Sequence, residues 1–268
     1  MKKIGMLALL YWVHSVKAQE LFVYTEPASN MAAKSMGFRL NNYFMKDMLT
    51  SRINYHLMPE IMWGASKNIM VHAEVFMSNE EGAFKARGAS LYAKYRLYSI
   101  DDVHNHFRMA AYGKYSFNNS RIDQPAIDFI GHNSGYEGGL VATKLINKVA
   151  ISASSSLLYA IDNGDEKYLF GDQNRTAVNY TLSIGKLMLP KEYTSYGQTN
   201  VNFMLELLGQ TNTGSGYTFI DMAPSVQFIV KSRVRFDVGY RYPLVDKLDR
   251  AAPRGFIFRI EYNIFNVY

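Results

Sequence analysis

Two short stretches carry side chains that could do chemistry. The first is Gly131-His132-Asn133-Ser134-Gly135. A histidine two residues before a serine suits a general base and a hydroxyl nucleophile, with an amide or acid to orient the imidazole. Asn-Ser-Gly is also ordinary turn chemistry at the start of a strand. The second stretch gathers His56, Met58, Met62, Met70 and His72, with Glu60 and Glu74 among them. Thioether and imidazole are ligands for a soft ion such as copper(I) in transit. If residues 64–67 form a tight turn, Met62 faces Met70, Glu60 faces His72 and Met58 faces Glu74. The alternative is that methionine fills gaps and Glu60–His72 is an ordinary cross-strand pair. The chain has no cysteine, so neither a thiolate site nor a disulfide framework is available. Both chemical readings are the lesser ones: the leading expectation is no catalytic residue, no bound metal and no cofactor.

What these residues can do depends on the elements beneath them. After residue 35 the chain alternates with period two, and no stretch sustains a period of 3.6. From Arg52, one parity reads Ile53, Tyr55, Leu57, Pro59, Ile61, Trp63, and the other Asn54, His56, Met58, Glu60, Met62. Val149, Ile151, Ala153, Ser155, Leu157 and Tyr159 alternate with Ser152, Ser154 and Ser156. Twelve strands are predicted: 36–45, 52–63, 68–78, 88–99, 106–117, 135–146, 149–161, 177–188, 200–210, 218–229, 233–243 and 255–268. Many reach ten residues, the length a tilted membrane strand needs, where strands of soluble sheets average five or six. Short connections (64–67, 100–105, 147–148, 230–232) alternate with longer polar ones (79–87, 118–134, 162–176, 211–217, 244–254). Residues 46–51 and 189–199 break that rule. The expected fold is therefore all-β: an antiparallel up-and-down transmembrane barrel of about twelve strands, spanning residues 36–268, with both termini periplasmic.

The start of the chain reads differently. Lys2 and Lys3, the apolar run Ile4 to Val13 and the small residues Val16 and Ala18 form a secretory signal peptide, residues 1–18, cleaved after Ala18. Its loss removes Lys2, Lys3 and Lys17 and no acid, so the formal charge falls from +6 to +3. The remaining basic residues are interleaved with acids along the chain, which argues against a nucleic-acid partner. Residues 19–35, with Pro27, show no alternation; they lie in the periplasm or fold into the lumen as a plug.

Bulk hydropathy hides this design. The 268 residues are 48% hydrophobic and include 20 Tyr and 16 Phe, yet mean hydropathy is −0.15. In a barrel only alternate side chains meet lipid, so averaging the two faces gives a soluble-looking number. The aromatics fall at strand ends, where lipid headgroups lie: Tyr115, Phe117, Tyr136, Tyr159, Tyr240, Tyr242, Phe256 and Phe258 at the outer edge, and Trp63 and Tyr268 at the inner. Membrane-level charges fall on the opposite parity. With Arg39, they are Arg52, Lys94, Arg96, Arg108, Lys114, Arg235, Arg241 and Arg259, and Glu60, Glu74, Glu137, Glu206, Asp221, Asp237 and Glu261. A charge on the lipid face would cost roughly 2–4 kcal/mol near the midplane, which explains the parity. These residues line a mildly anion-preferring pore, or they form a salt-bridge network that closes the barrel. The small wall from Ala150 to Ser156 and Asn179 to Gly185 leaves room for a solute path or for an inward-folded loop, with 118–134, the longest, the candidate.

The final parity Phe256, Phe258, Ile260, Tyr262, Ile264, Asn266, Tyr268 resembles the assembly signal of Gram-negative outer-membrane barrels, although Asn266 stands where an apolar residue is usual. The resemblance covers residues 36–268. It implies an outer-membrane location, contact with outer-membrane lipid and lipopolysaccharide, and insertion by the outer-membrane assembly machinery. Gly239-Tyr240-Arg241-Tyr242-Pro243-Leu244 resembles the transporter group related to MetA-pathway phenol-degradation proteins. The His132–Ser134 spacing resembles the active site of the outer-membrane phospholipase, although the rest of that signature is missing. Together these imply a passive channel or transporter for small polar solutes. The alternatives are a closed structural or interaction barrel, a lipid hydrolase and a metal-ion conduit.

Overall fold

The computed structural model describes residues 22–48, 50–102, 105–164, 167, 169, 174–192 and 197–267. Twelve strands run β1 (Ser35–Lys46), β2 (Ile53–Gly64), β3 (Ile69–Ser78), β4 (Lys85–Asp101), β5 (Asn105–Asn118), β6 (Ser134–Ile146), β7 (Val149–Ile161), β8 (Thr176–Leu189), β9 (Asn200–Asn212), β10 (Thr218–Val230), β11 (Val234–Asp246) and β12 (Arg254–Ile264). Each pairs antiparallel with its sequence neighbours, and β1 pairs with β12 from Met36↔Ile264 to Lys46↔Arg254. The sheet is thus a closed ring with no free edge. Both ends of the strand sequence meet at one rim.

Local chemistry sets the turns at that rim. Asn147-Lys148 joins β6 to β7, and Asn147 takes a positive φ of 54°. Asparagine tolerates that region, which the tight hairpin turn requires. The β2–β3 turn differs from expectation. The pairs are Met62↔His72 and Glu60↔Glu74, two residues out of the predicted register. The Ser66 hydroxyl accepts the Asn68 and Ile69 N–H groups, holding a turn that moves the first pairs towards the C-terminal side. β12 ends at Ile264, short of the predicted 268, and β4 begins three residues early at Lys85.

The two faces of the ring differ in kind. Outward side chains are apolar and bare: Leu91, Leu140, Leu157 and Leu182 all stand more than half exposed. An apolar band of this size around a whole molecule is stable only against hydrocarbon. Inward side chains are polar and buried, with Glu206, Asp221, Gln227 and Asp237 inaccessible. Bulges interrupt the alternation between Arg96 and Tyr98 and between Ile220 and Asp221. At the first, Leu97 and Tyr98 both face outward.

Candidate functional site

The lumen has a floor made by the chain's own start. Residues 22–34 run inside the ring as an extended strap, and the wall is shaped to hold it. The Glu206 carboxylate on β9 accepts the backbone N–H groups of Val23 (2.9 Å), Tyr24 (3.0 Å) and Thr25 (2.9 Å), and the Thr25 hydroxyl (2.7 Å). Lys94 on β4 donates to the carbonyls of Pro27 (2.6 Å) and Ser29 (2.9 Å). Thr143 on β6 accepts the Ala28 N–H, and Arg108 on β5 donates to the Ser29 hydroxyl. Phe22 and Val23 pack with Leu145, Ala150, Met204 and Ile257. A backbone without sheet partners must be satisfied somewhere, and here side chains from β4, β6 and β9 do it. Residues 22–34 thus contact side chains of the inner wall. The expected signal peptide lies outside the described residues.

A second insertion forms a ceiling. The 119–133 connection folds inward until the Ile127 backbone exchanges two hydrogen bonds with the Gln210 amide on β9, and Gln124 accepts the Ala251 N–H. Ile127 and Phe129 of this segment seat against Leu158, Ala160 and Ala177 of the wall. Gly135 has no Cβ to collide with the Tyr159 carbonyl oxygen or the Phe129 ring, and its φ of 153° suits glycine. His132 sits 3.7 Å from Glu80 on the β3–β4 connection. Burial alone would lower its pKa, but Glu80, Asp128 and Asp123 outweigh burial and raise it above the usual histidine value. Burial raises the Glu80 carboxyl.

Between floor and ceiling lies a chamber of about 380 Å³. Arg39 anchors its lower rim, holding Glu26 (2.9 Å), Glu60 (3.0 Å) and Glu261 (2.8 Å) at once. Below this rim the seam strands carry a dense network in which Arg235 joins Asp237 and Glu261. The chamber walls are less neutralised. On one side stand Glu74, with Lys114 4.0 Å away, and Glu137, whose carboxylate accepts the hydroxyls of Ser156 (2.6 Å) and Tyr112 (3.3 Å). A ladder of rings, His72–Tyr92–Tyr112, crosses β3 to β5 at centroid spacings of 5.0 and 5.6 Å. On the other side Arg241, Arg250 and Arg259 face the cavity.

The residues singled out from sequence fall into clear groups. Glu60, Lys94, Arg108, Glu206, Asp221, Arg235, Asp237, Arg259 and Glu261 are buried inside the ring, and Glu74, Arg96, Lys114, Glu137 and Arg241 are half-buried. Arg52 departs from its expected place: it precedes β2 and is exposed, because that strand starts one residue later. Trp63, Tyr115, Phe117, Tyr136, Tyr159, Phe256 and Phe258 are exposed outside, while Tyr240 and Tyr242 stack on each other, half-buried. Tyr268 lies outside the described residues. His132 and Ser134 are not brought together as base and nucleophile. The Ser134 hydroxyl is buried and bonded to the Asn118 backbone, and His132 faces Glu80 and the His56 ring. Met62 and Met70 pack with Met31 against Tyr92, and the Met70 sulfur accepts the Met31 N–H. His72 Nδ1 meets Glu60 at 2.5 Å, a diagonal contact in the true register. Among the described residues no cluster of three or more His, Asp or Glu is arranged to hold a metal. Tyr24, Glu26, Asp128 and Arg250 also line the chamber. They lie outside the alternating strands, where parity carries no signal.

No protein-family model and no curated protein matches the sequence. Among solved structures, the barrel is similar to an outer membrane channel from Pseudomonas putida F1, with a TM-score of 0.56 at 11% identity, covering 90% of this chain and 99% of that one. It is also similar to the NanC porin, with a TM-score of 0.52 at 11% identity, covering 86% and 98%. At such identities the likeness is one of fold.

Proposed function

We propose that this protein is an outer-membrane channel passing small polar solutes passively, with the 22–34 strap as a plug in its lumen. One observation carries the reading: a ring that is apolar outside encloses a charged chamber large enough for a small solute. The channel and porin that share the fold support it. So do the signal peptide read over residues 1–18 and the resemblance of the Gly239–Leu244 stretch to the MetA-pathway transporter group. In this reading both termini are periplasmic, the apolar band contacts outer-membrane lipid and lipopolysaccharide, and the C-terminal strand addresses the assembly machinery. Planar-bilayer recording of the intact protein and of a variant lacking residues 22–34 tests it. Discrete conductance is expected from both, larger in the truncated form. Silence from both across salts and voltages refutes a channel.

A further inference from the structure

Arginines predominate on one wall of the chamber and carboxylates on the facing one. In a ring of twelve, strands six apart lie opposite, so β6 faces β12 and β5 faces β11. Glu137 on β6 accepts hydrogen bonds from two neutral hydroxyls; its cross-strand neighbour Lys114 also lines the chamber, with its ammonium 4.0 Å from Glu74 and no ion pair to Glu137 within 4.0 Å. A carboxylate placed so is poised for a cation from outside the protein. Across the lumen, Arg241 and Arg250 share Asp221, and both guanidinium groups lie over the Phe219 ring, at 5.7 and 3.8 Å. Arg259 joins them in lining the cavity, whereas Asp221, Asp237 and Asp246, the carboxylates behind these arginines, do not line it. The chamber therefore presents three guanidinium groups on one wall, and on the other two carboxylates, Glu74 and Glu137, that share the single ammonium of Lys114 beside the Tyr112 ring.

We propose that the chamber is a binding site for a small zwitterion, a solute with an ammonium and a carboxylate group. The ammonium goes to Glu137, beside the Tyr92 and Tyr112 rings, and the carboxylate to Arg241 and Arg259. A tyrosine face attracts an ammonium, and a guanidinium fork fits a carboxylate in two parallel hydrogen bonds. A single-charge solute engages only one of the two walls. The volume of about 380 Å³ is at the small end of ligand sites and suits a molecule the size of a free amino acid.

This inference rests on the channel reading, and its test separates the two. Purified intact protein in detergent is titrated calorimetrically with L-glutamine, with N-acetylglutamine, which keeps only the carboxylate, and with glutamine amide, which keeps only the ammonium. Glutamine should bind most tightly, with each blocked form about tenfold weaker or worse. Glu137→Gln should weaken glutamine and glutamine amide about tenfold while leaving N-acetylglutamine unchanged, and Arg241→Gln should do the reverse. The three-ligand comparison on the unaltered protein decides the matter even where a variant misfolds. Equal binding of all three, preference for a blocked form, or no binding overturns the zwitterion site. Potassium chloride conductance, which needs no solute, reports the channel separately. Conductance without glutamine preference overturns the site alone, and glutamine preference without conductance overturns the channel alone.

Discussion

Replacing Glu206 with glutamine should loosen the floor of the chamber while sparing the barrel. In the native protein Oε1 accepts two strap N–H groups and Oε2 accepts a third and the Thr25 hydroxyl. An amide keeps one acceptor oxygen. Whichever way it turns, two of the four donors then face an NH₂ group. Two charge-assisted bonds of roughly 1.5–3 kcal/mol are lost, and the other two fall to neutral bonds of about 0.5–1.5 kcal/mol. Against this, the carboxylate has no salt-bridge partner within 4.0 Å among the described residues, so removing its charge relieves desolvation. The net cost to docking is about 3 kcal/mol, which shifts the ratio of docked to undocked strap about a hundredfold. Glu206 lies on a strand whose pairing is backbone-made, so the ring stays intact. Single-channel recording should show longer open dwell times, and limited proteolysis should cut within residues 22–34 faster. A folded Glu206→Gln protein with unchanged dwell times and unchanged cleavage would refute the claim that this carboxylate holds the strap.

Other outcomes follow from the same contacts. Gly135→Ala places a Cβ against the Tyr159 carbonyl oxygen on β7 and the Phe129 ring at a φ of 153°, and should strain the β6–β7 pairing and displace the ceiling at a cost of about 1–3 kcal/mol, seen as faster protease cleavage within 119–133. The docking of that segment should also depend on pH. The folded-state pKa of His132 is raised, so its stabilisation is fully present below the unfolded value of about 6.5 and is lost as pH rises through the folded value. The raised Glu80 works in the same direction, because the folded state holds its proton more tightly. Amide protection factors over 119–133, taken relative to the intrinsic exchange rate at each pH, should therefore fall on moving from mildly acidic to alkaline buffer, and His132→Gln should reduce that dependence. Leu157→Arg puts a charge at the most exposed large apolar position of the wall and should cost about 2–4 kcal/mol of insertion into vesicles, whereas Ser154→Arg, which points inward, should insert normally.

The ring was legible because alternation is a local signal. A strand with lipid on one face and polar lumen on the other must alternate, and β7 (Val149–Ile161) matches its predicted limits to the residue. What escaped was non-local or one residue deep. The bulge after Arg96 turns Leu97 and Tyr98 outward together, an insertion that period-two reading passes over. The β2–β3 register turned on the side chain of Ser66, not on the strand pattern. The strap has no period at all: its fit depends on Glu206, 183 positions away from Val23, and on Lys94. Half of the chamber was therefore readable as inward charges, while Glu26 and Asp128, carried on the inserted segments, were not.

The seam between β1 and β12 joins positions more than two hundred residues apart, so the ring closes only when the chain's last strand is in place. Until then both edge strands offer unpaired backbone to any neighbour. The pocket that receives Phe22 draws on β6, β7, β9 and β12 together, so it too is complete only after closure. Seating of Phe22 thus reports that β12 has been laid down, and a chain caught with an open seam would betray itself by a loose 22–34 segment.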